Sequence, residues 1–237
     1  SFLEGASHPE ELVDRARALG LPALALTDRD SVSGSVRAHV QALECGLPLI
    51  HGAQISVGEP DELLGLGEIG AAKPAVRKGR SKPGAWNLQG GAPLGDLAIG
   101  AAGPRGGGLA AARPVIALAS DRGGWGALCG LLSRGRLACP KGHSRVRLGE
   151  LAAAGPGIVA LVIDPDMLAA LREPFAGRLY ALVTRHRHAA ELPAEARLRA
   201  TAARLGVPVV AGSEVLYHDA ARRPLQDVVT CVRLGLT

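Results

Sequence analysis

The chain has 237 residues, with 27 Lys and Arg against 22 Asp and Glu, a formal charge of +5 and aromatic residues at only 3%. That length fits one large domain or two small ones, and its core must be built from Ala, Val and Leu. The basic excess suits a partner that carries phosphates but is not a dedicated nucleic-acid-binding tail. The four cysteines, Cys45, Cys129, Cys139 and Cys231, form no CxxC pair, which excludes a zinc ribbon and argues against a secreted disulfide scaffold. No apolar run reaches the roughly 18 residues of a spanning helix and no signal-peptide pattern opens the sequence, so a reducing cytoplasm is expected. The start at Ser1 and the stop at Thr237 read as the ends of a piece of something longer.

Ser7-His8-Pro9-Glu10 predicts a helix start, with Ser7 as N-cap, Pro9 in the first turn and Glu10 closing a capping box. Leu12, Ala16 and Leu19 then recur at helical spacing up to Gly20. Ala23 to Thr27 is a short apolar run between breakers, read as a buried strand. Val32, Val36, Val40 and Leu43 mark the apolar stripe of a second helix ending at Gly46, and Leu47 to Val57 is again a strand. Further strands are expected at Pro114–Ala119, Gly157–Ile163, Arg178–Thr184 and Val207–Ala211. Helices are expected from Trp125 to Leu132, from Ala194 to Leu205, and around Leu225, Val228, Val229 and Val232. This alternation predicts a mostly parallel sheet or barrel with functional groups at the carboxyl ends of its strands.

Residues 58–112 break the rhythm. They are rich in glycine and proline, show no sustained period and carry the basic run Lys73 to Lys82. Such a composition cannot bury a core, so the segment reads as a disordered insertion, with a tethered nucleic-acid contact as the alternative.

If all strands point one way, their carboxyl ends carry Asp28, Gln54, Ser120-Asp121, Asp164 and Asp166, Arg185-His186, and Ser213-Glu214. A di- or trinuclear metal site needs converging imidazoles and carboxylates, usually with His-x-His or Asp-His pairs. The one histidine-rich stretch, Arg185-His186-Arg187-His188, is interleaved with cations that disfavour a divalent metal. The cluster Gly106-Gly107-Gly108 is not followed by Lys-Ser/Thr, so no nucleotide cradle is supported. No Gly-x-Ser-x-Gly elbow is present. Cys129 reads as a core residue, and His8 and His39 as capping or surface residues.

SFLEGASHPEELVDRARALGLPALALTD, VRAHVQALECGLPLIHGAQ, IALASDRGGWGALCGLLSRGR and VLYHDAARRPLQDVVTCVRLG together resemble the N-terminal PHP domain of bacterial C-family DNA polymerases, in particular the error-prone branch. The resemblance covers residues 1–57 and about 114–237. It implies an α/β fold, a distorted seven-stranded (β/α) PHP barrel that here lacks its first strand, formed by 1–57 and 113–237 around the 58–112 insertion. An open barrel of this kind is expected to expose strand edges and to be aggregation-prone alone.

Metal-binding members of the family read Thr-Asp-His at the second strand, where this chain has Thr27-Asp28-Arg29. Gln54 stands where they place a Glu, and Ala211-Gly212-Ser213-Glu214 where they read Ala-Thr-Asn-Asp. The metal candidates carried over are therefore Asp28 and Glu214, both vestigial, with Arg29 placed to pair with Asp28 in the metal's stead. The resemblance further implies a parent DNA-directed DNA polymerase of damage-induced translesion synthesis and repair, with Mg²⁺ in a palm domain outside this chain. DNA, lesion-bypass accessory proteins and a sliding clamp are its implied partners, in the bacterial cytoplasm and away from membranes. The alternatives are a metal-dependent phosphoesterase of the 3′-exonuclease type and an inert docking module.

Overall fold

A computed structural model of the chain describes residues 4–58, 112–186, 188–189 and 191–236. Residues 59–111 of the expected disordered insertion, with its basic run, and Arg187 lie outside the described residues.

The element order is α1 (Pro9–Ala18), β1 (Leu24–Arg29), α2 (Ser35–Cys45), β2 (Leu49–Val57), β3 (Arg113–Ala119), α3 (Arg122–Leu137), α4 (Leu148–Ala152), β4 (Ile158–Val162), α5 (Pro165–Leu171), β5 (Leu179–Val183), α6 (Glu191–Leu205), β6 (Val209–Ala211) and α7 (Arg223–Leu234), the last preceded by a 3₁₀ turn at Ala220–Arg222. The six strands form one sheet in the order β1-β2-β3-β4-β5-β6. It curls into a half-barrel, the partial PHP barrel expected.

One strand runs against the expectation. β3 pairs antiparallel with both β2 and β4, whereas β1/β2, β4/β5 and β5/β6 are parallel. Ser120-Asp121 therefore lies at the opposite end of the sheet from Asp28, Asp164 and Glu214. The hydrophobic period that marks a strand carries no direction, so sequence could not show this. At that opposite end Asp121 caps α3, accepting the Gly124 amide at 2.7 Å. Arg113, at the start of β3, lands instead among the other strands' carboxyl ends, with Asp164 and Asp166 each 3.6 Å away.

The two faces of the sheet differ in burial. Ile55, Val115, Ala117, Ile158, Val162 and Ala181 are fully buried beneath the helical layer of α3, α5 and α6. The alternate residues, among them Gln54, Ile116, Leu161, Tyr180 and Val210, line the concave face and are only half-buried. A separate cluster of Val13, Ala16, Leu26, Ala38, Ala42 and Leu47 joins α1 and α2 to β1.

Two helices depart from the sequence reading. In α1 the N-cap is His8, whose amide donates to Glu11 Oε2 at 2.8 Å, so Glu11 rather than Glu10 closes the box. Ser7 is drawn away by His218 and Glu10 by Arg37. In α2 the buried residues are Ser35, Ala38 and Ala42, while Val36, Val40 and Leu43 face outward. Helical period locates a stripe without saying which stripe faces the core, and here close approach to β1 and α1 selects the small side chains.

His51 of β2 lies between His39 and Trp125, with ring centroids 5.3 and 5.1 Å away, and its buried Nδ1 has no hydrogen-bond partner among the described residues. Burial, reinforced by His39, pushes its pKa below the usual imidazole value. The neutral ring is the form the fold prefers. Its contribution is thus complete above the unfolded value near 6.5 and is lost as pH falls through the lower folded value. Thermal melts across that range are expected to show the melting temperature falling on acidification, with a smaller fall in His51→Phe; equal slopes would contradict the assignment.

Candidate functional site

Asp28 and Arg29 are neighbours at the end of β1, so the strand's alternation turns them to opposite faces. Asp28 shares the face of Leu26, towards α1 and α2. It is 7% exposed, and its Oδ2 accepts the Gly34 amide at 3.0 Å. The contact folds the 30–34 loop back onto the strand end. Arg29 is aimed the other way, and its Nη1 lies 2.9 Å from Glu4 Oε1. Arg29, expected beside Asp28, pairs with Glu4, a residue whose part in the site the sequence did not reveal.

Asp30, two residues on, anchors the same turn. It is a non-glycine residue at φ 47°, in the left-handed region that Asp tolerates better than most residues. Its carboxylate accepts the Ser56 amide and the Ser56 hydroxyl, both at 2.8 Å, and its own amide donates to Gln54 O at 2.8 Å. Arg136 of α3 donates from Nε and Nη2 to the Asp30 carbonyl at 2.9 and 2.8 Å. Burial raises the Asp30 pKa against the lowering effect of the Ser56 bonds. Gln54, at the expected Glu position, thus serves the turn through its backbone. An open cleft of about 310 Å³ beside this turn is lined by Glu4, Arg29, Asp30, Ser31, Arg136 and His143, among others.

At the far edge of the sheet, Glu214 is exposed and its Oε2 lies 3.8 Å from His186 Nε2. His186 turns its Nδ1 to Glu191 at 3.1 Å, and Glu191 also receives the His186 and His188 amides. Arg185 is held by Glu195, whose carboxyl, accepting hydrogen bonds from Arg185 and Arg199, is held down at about 2. Asp164 is used as the N-cap of α5, accepting the Asp166 and Met167 amides at 2.8 and 3.0 Å. Burial pushes the Cys129 thiol upward, away from a reactive thiolate.

Asp28 stands at the β1 edge on the helix side, and Glu214 follows β6 at the other edge. Among the described residues no three His, Cys, Asp or Glu side chains gather where they could hold a metal ion. These donors do not fit a multinuclear metal centre.

What joins the two edges is a polar clasp. The Ala6 amide donates to Leu216 O at 2.7 Å, Ser7 Oγ lies 2.7 Å from His218 Nδ1, and Gln226 Nε2 donates to Glu4 O at 2.6 Å. Arg222 reaches Glu11 at 2.5 Å. Glu4 therefore touches β1 through Arg29 and the segment after β6 through Gln226.

A family model described as the PHP domain matches residues 1–197. The chain belongs to the PHP domain family. The error-prone DNA polymerase of Anaeromyxobacter dehalogenans strain 2CP-1 is 38% identical over 250 residues, and that of Ralstonia nicotianae 35% over 258. These alignments take in 100% and 99% of this chain but only 18% and 19% of the relatives, so the PHP chain spans less than a fifth of their length. Among solved structures, a protein described as a metal-dependent phosphoesterase from Bifidobacterium adolescentis superposes with a TM-score of 0.53 at 16% identity, over 92% of this chain and 85% of that one. An amidohydrolase from Chromobacterium violaceum, with bound sulfate and no metal, gives 0.53 at 15% identity, over 90% and 84%. These two likenesses concern the fold. No helix among the described residues is long and apolar enough to cross a membrane.

Proposed function

We propose that this chain is the PHP domain of an error-prone DNA polymerase working in translesion synthesis and DNA repair in the bacterial cytoplasm, and that the domain itself is structural. The first part is supported by identity of 35–38% along the whole chain to polymerases of that name. The second is carried by one observation: Arg29 and Glu4 form an ion pair at the strand end where metal-binding relatives of this family place a ligand. A guanidinium there supplies fixed positive charge without an open coordination position, so the place is stable but unable to activate water.

In this reading nucleotidyl transfer belongs to the Mg²⁺-holding palm of the parent polymerase. DNA, the sliding clamp and lesion-bypass accessory proteins are met through that parent. The domain supplies basic surface and a platform for palm and thumb. The outward apolar residues Leu225, Val228 and Val232 of α7 support this role, because a twelve-residue amphipathic helix needs a covering surface to be stable. The test is elemental analysis of the purified protein together with hydrolysis of a phosphodiester in the presence of Mn²⁺. Substoichiometric metal and no hydrolysis are expected, with an unchanged melting temperature after chelation. Stoichiometric Zn, Mn or Fe accompanied by hydrolysis would instead establish a metal-dependent phosphoesterase.

A further inference from the structure

Between Ser133 and Gly149 the chain carries five cations, Arg134, Arg136, Lys141, Arg145 and Arg147, and no carboxylate. These five account for the whole formal charge of +5, so the basic excess is concentrated in one stretch. Arg134 and Arg136 belong to the last turn of α3, where cations answer the carbonyls of the helix end. That role does not reach Lys141, Arg145 and Arg147, which lie beyond the helix.

The stretch is fastened to the sheet and to α3. The Arg145 amide donates to Gly135 O at 3.2 Å, the Val146 amide to Ser56 O at 3.0 Å, and the Gly58 amide to Val146 O at 3.1 Å. A Cβ at Gly135 would lie 3.0 Å from Ser144 Oγ and 3.1 Å from Arg145 O, so loop and helix are in close contact. His143 and Ser144 of this loop share the lining of the 310 Å³ cleft with Arg136, Ser31 and Ser33. Ser144 is 4% exposed, and its buried Oγ has no hydrogen-bond partner among the described residues. Arg145 and Arg147 act on the Cys139 thiol, as Asp30 of the cleft does, which places both cations beside the cleft. The carboxylates nearby are already engaged. Arg29 holds Glu4, the Ser56 amide and hydroxyl hold Asp30, and Arg134 with the Arg147 amide holds Glu150. Arg136 is fixed through Nε and Nη2 on the Asp30 carbonyl, which leaves its Nη1 for a ligand.

Cations on a fixed frame around a hydroxyl-lined cleft suit phosphate oxygens. The stretch from Ser133 to Gly149 holds no aromatic residue on which an unpaired base could stack. Successive phosphates of a double strand, rather than splayed bases, are what such a surface recognises.

We propose that the face formed by residues 134–147 binds the phosphate backbone of duplex DNA, one phosphate entering the cleft beside Arg136, Ser31 and Ser33 while Lys141 and Arg147 meet its neighbours. The choice of DNA over RNA rests on the reading of the parent as a DNA polymerase; the phosphate contact does not.

Fluorescence anisotropy of the full-length protein on duplexes of unrelated sequence, over a range of salt concentrations, tests this. Lys141→Glu is expected to weaken duplex binding severalfold, alike on every sequence, and to lower the slope of log affinity against log salt by about one. Arg204→Glu makes the same change of charge on α6, away from this face, and is expected to bind as wild type does. Melting temperatures confirm that both variants are folded. A photo-crosslinker at position 143, which leaves all five cations in place, is expected to join duplex DNA. Primer extension by the same wild-type preparation separates this contact from the reading of the parent. If the wild type extends primers but Lys141→Glu binds duplex as Arg204→Glu does, the contact is overturned and the polymerase reading stands. A loss confined to single strands, or a crosslink from position 143 to protein alone, also overturns it. Weakened duplex binding by Lys141→Glu in a protein that extends no primer supports the contact and removes the polymerase reading.

Discussion

Gly124→Ala is expected to unfold the domain or cost about 3 kcal/mol or more, while Gly126→Ala in the same helix is expected to stabilise it by about 0.5–1 kcal/mol. Both glycines lie in the first turns of α3, where alanine is the better helix former. They differ in what stands beside them. A Cβ at Gly126 would meet nothing within 4 Å, whereas one at Gly124 would overlap the Gly157 carbonyl just before β4. That carbonyl cannot retreat, because the Ser120 amide and hydroxyl hold it at 2.9 and 3.1 Å. Gly157 is constrained in return, its own added Cβ falling 2.7 Å from Asp121 Oδ1. Backbone on both sides leaves no flexible side chain to absorb the added methyl. Urea denaturation of the two variants against wild type reads the difference directly. A Gly124→Ala midpoint equal to that of Gly126→Ala would show that the α3–β4 junction is looser than described.

The contrast between those glycines also marks what sequence could show. Short apolar runs between breakers located the strands to within a few residues, since the burial of such a run leaves little freedom. β2 and β3 stand far apart in the chain but pair in register from Gly52↔Leu118 to Val57↔Arg113. The resemblance to the PHP family supplied the frame for that closure. Strand direction was not legible, because an apolar run reads the same both ways. Nor was the identity of the buried stripe in α2, where Ala38 and Ala42 displaced larger and more obvious candidates. The short helices α4 and α5 hold too few turns to show a period.

The site was legible as positions and not as contacts. Asp28, Gln54 and Glu214 could be placed at strand ends, but their faces and partners depend on side-chain direction and on residues distant in sequence. Glu4 finds Arg29 across the start of the fold, and Arg136 finds the Asp30 carbonyl from 106 residues away. The Thr27-Asp28-Arg29-Asp30 run did hold one usable signal: alternation puts Asp28 and Arg29 on opposite faces of β1.

That alternation makes Asp28 a point of decision between two roles with different signatures. As a strand-end metal ligand, its loss would lower metal content and leave the fold intact. As the acceptor that pins the Gly34 amide inside the α1–α2 layer, its loss strips a buried donor of its partner and costs about 1–3 kcal/mol. Asp28→Ala is therefore expected to lower stability by that amount with no change in metal content, and Asp28→Asn, which keeps an acceptor oxygen, to lower it less. Gly34→Ala is expected to reproduce the loss from the other side. Its Cβ would lie 2.9 Å from Asp28 Oδ2, 3.0 Å from Pro9 Cγ and 3.2 Å from Leu26 Cδ2, pressing the carboxylate and α1 apart. Denaturation midpoints and elemental analysis on the same preparations separate the roles. Metal that is present in wild type and lost in Asp28→Ala at unchanged stability would return Asp28 to the ligand set. A shared fall in stability for Asp28→Ala and Gly34→Ala establishes the carboxylate as the fastening between β1 and α2, and so as the residue that fixes how far α2 stands from the sheet.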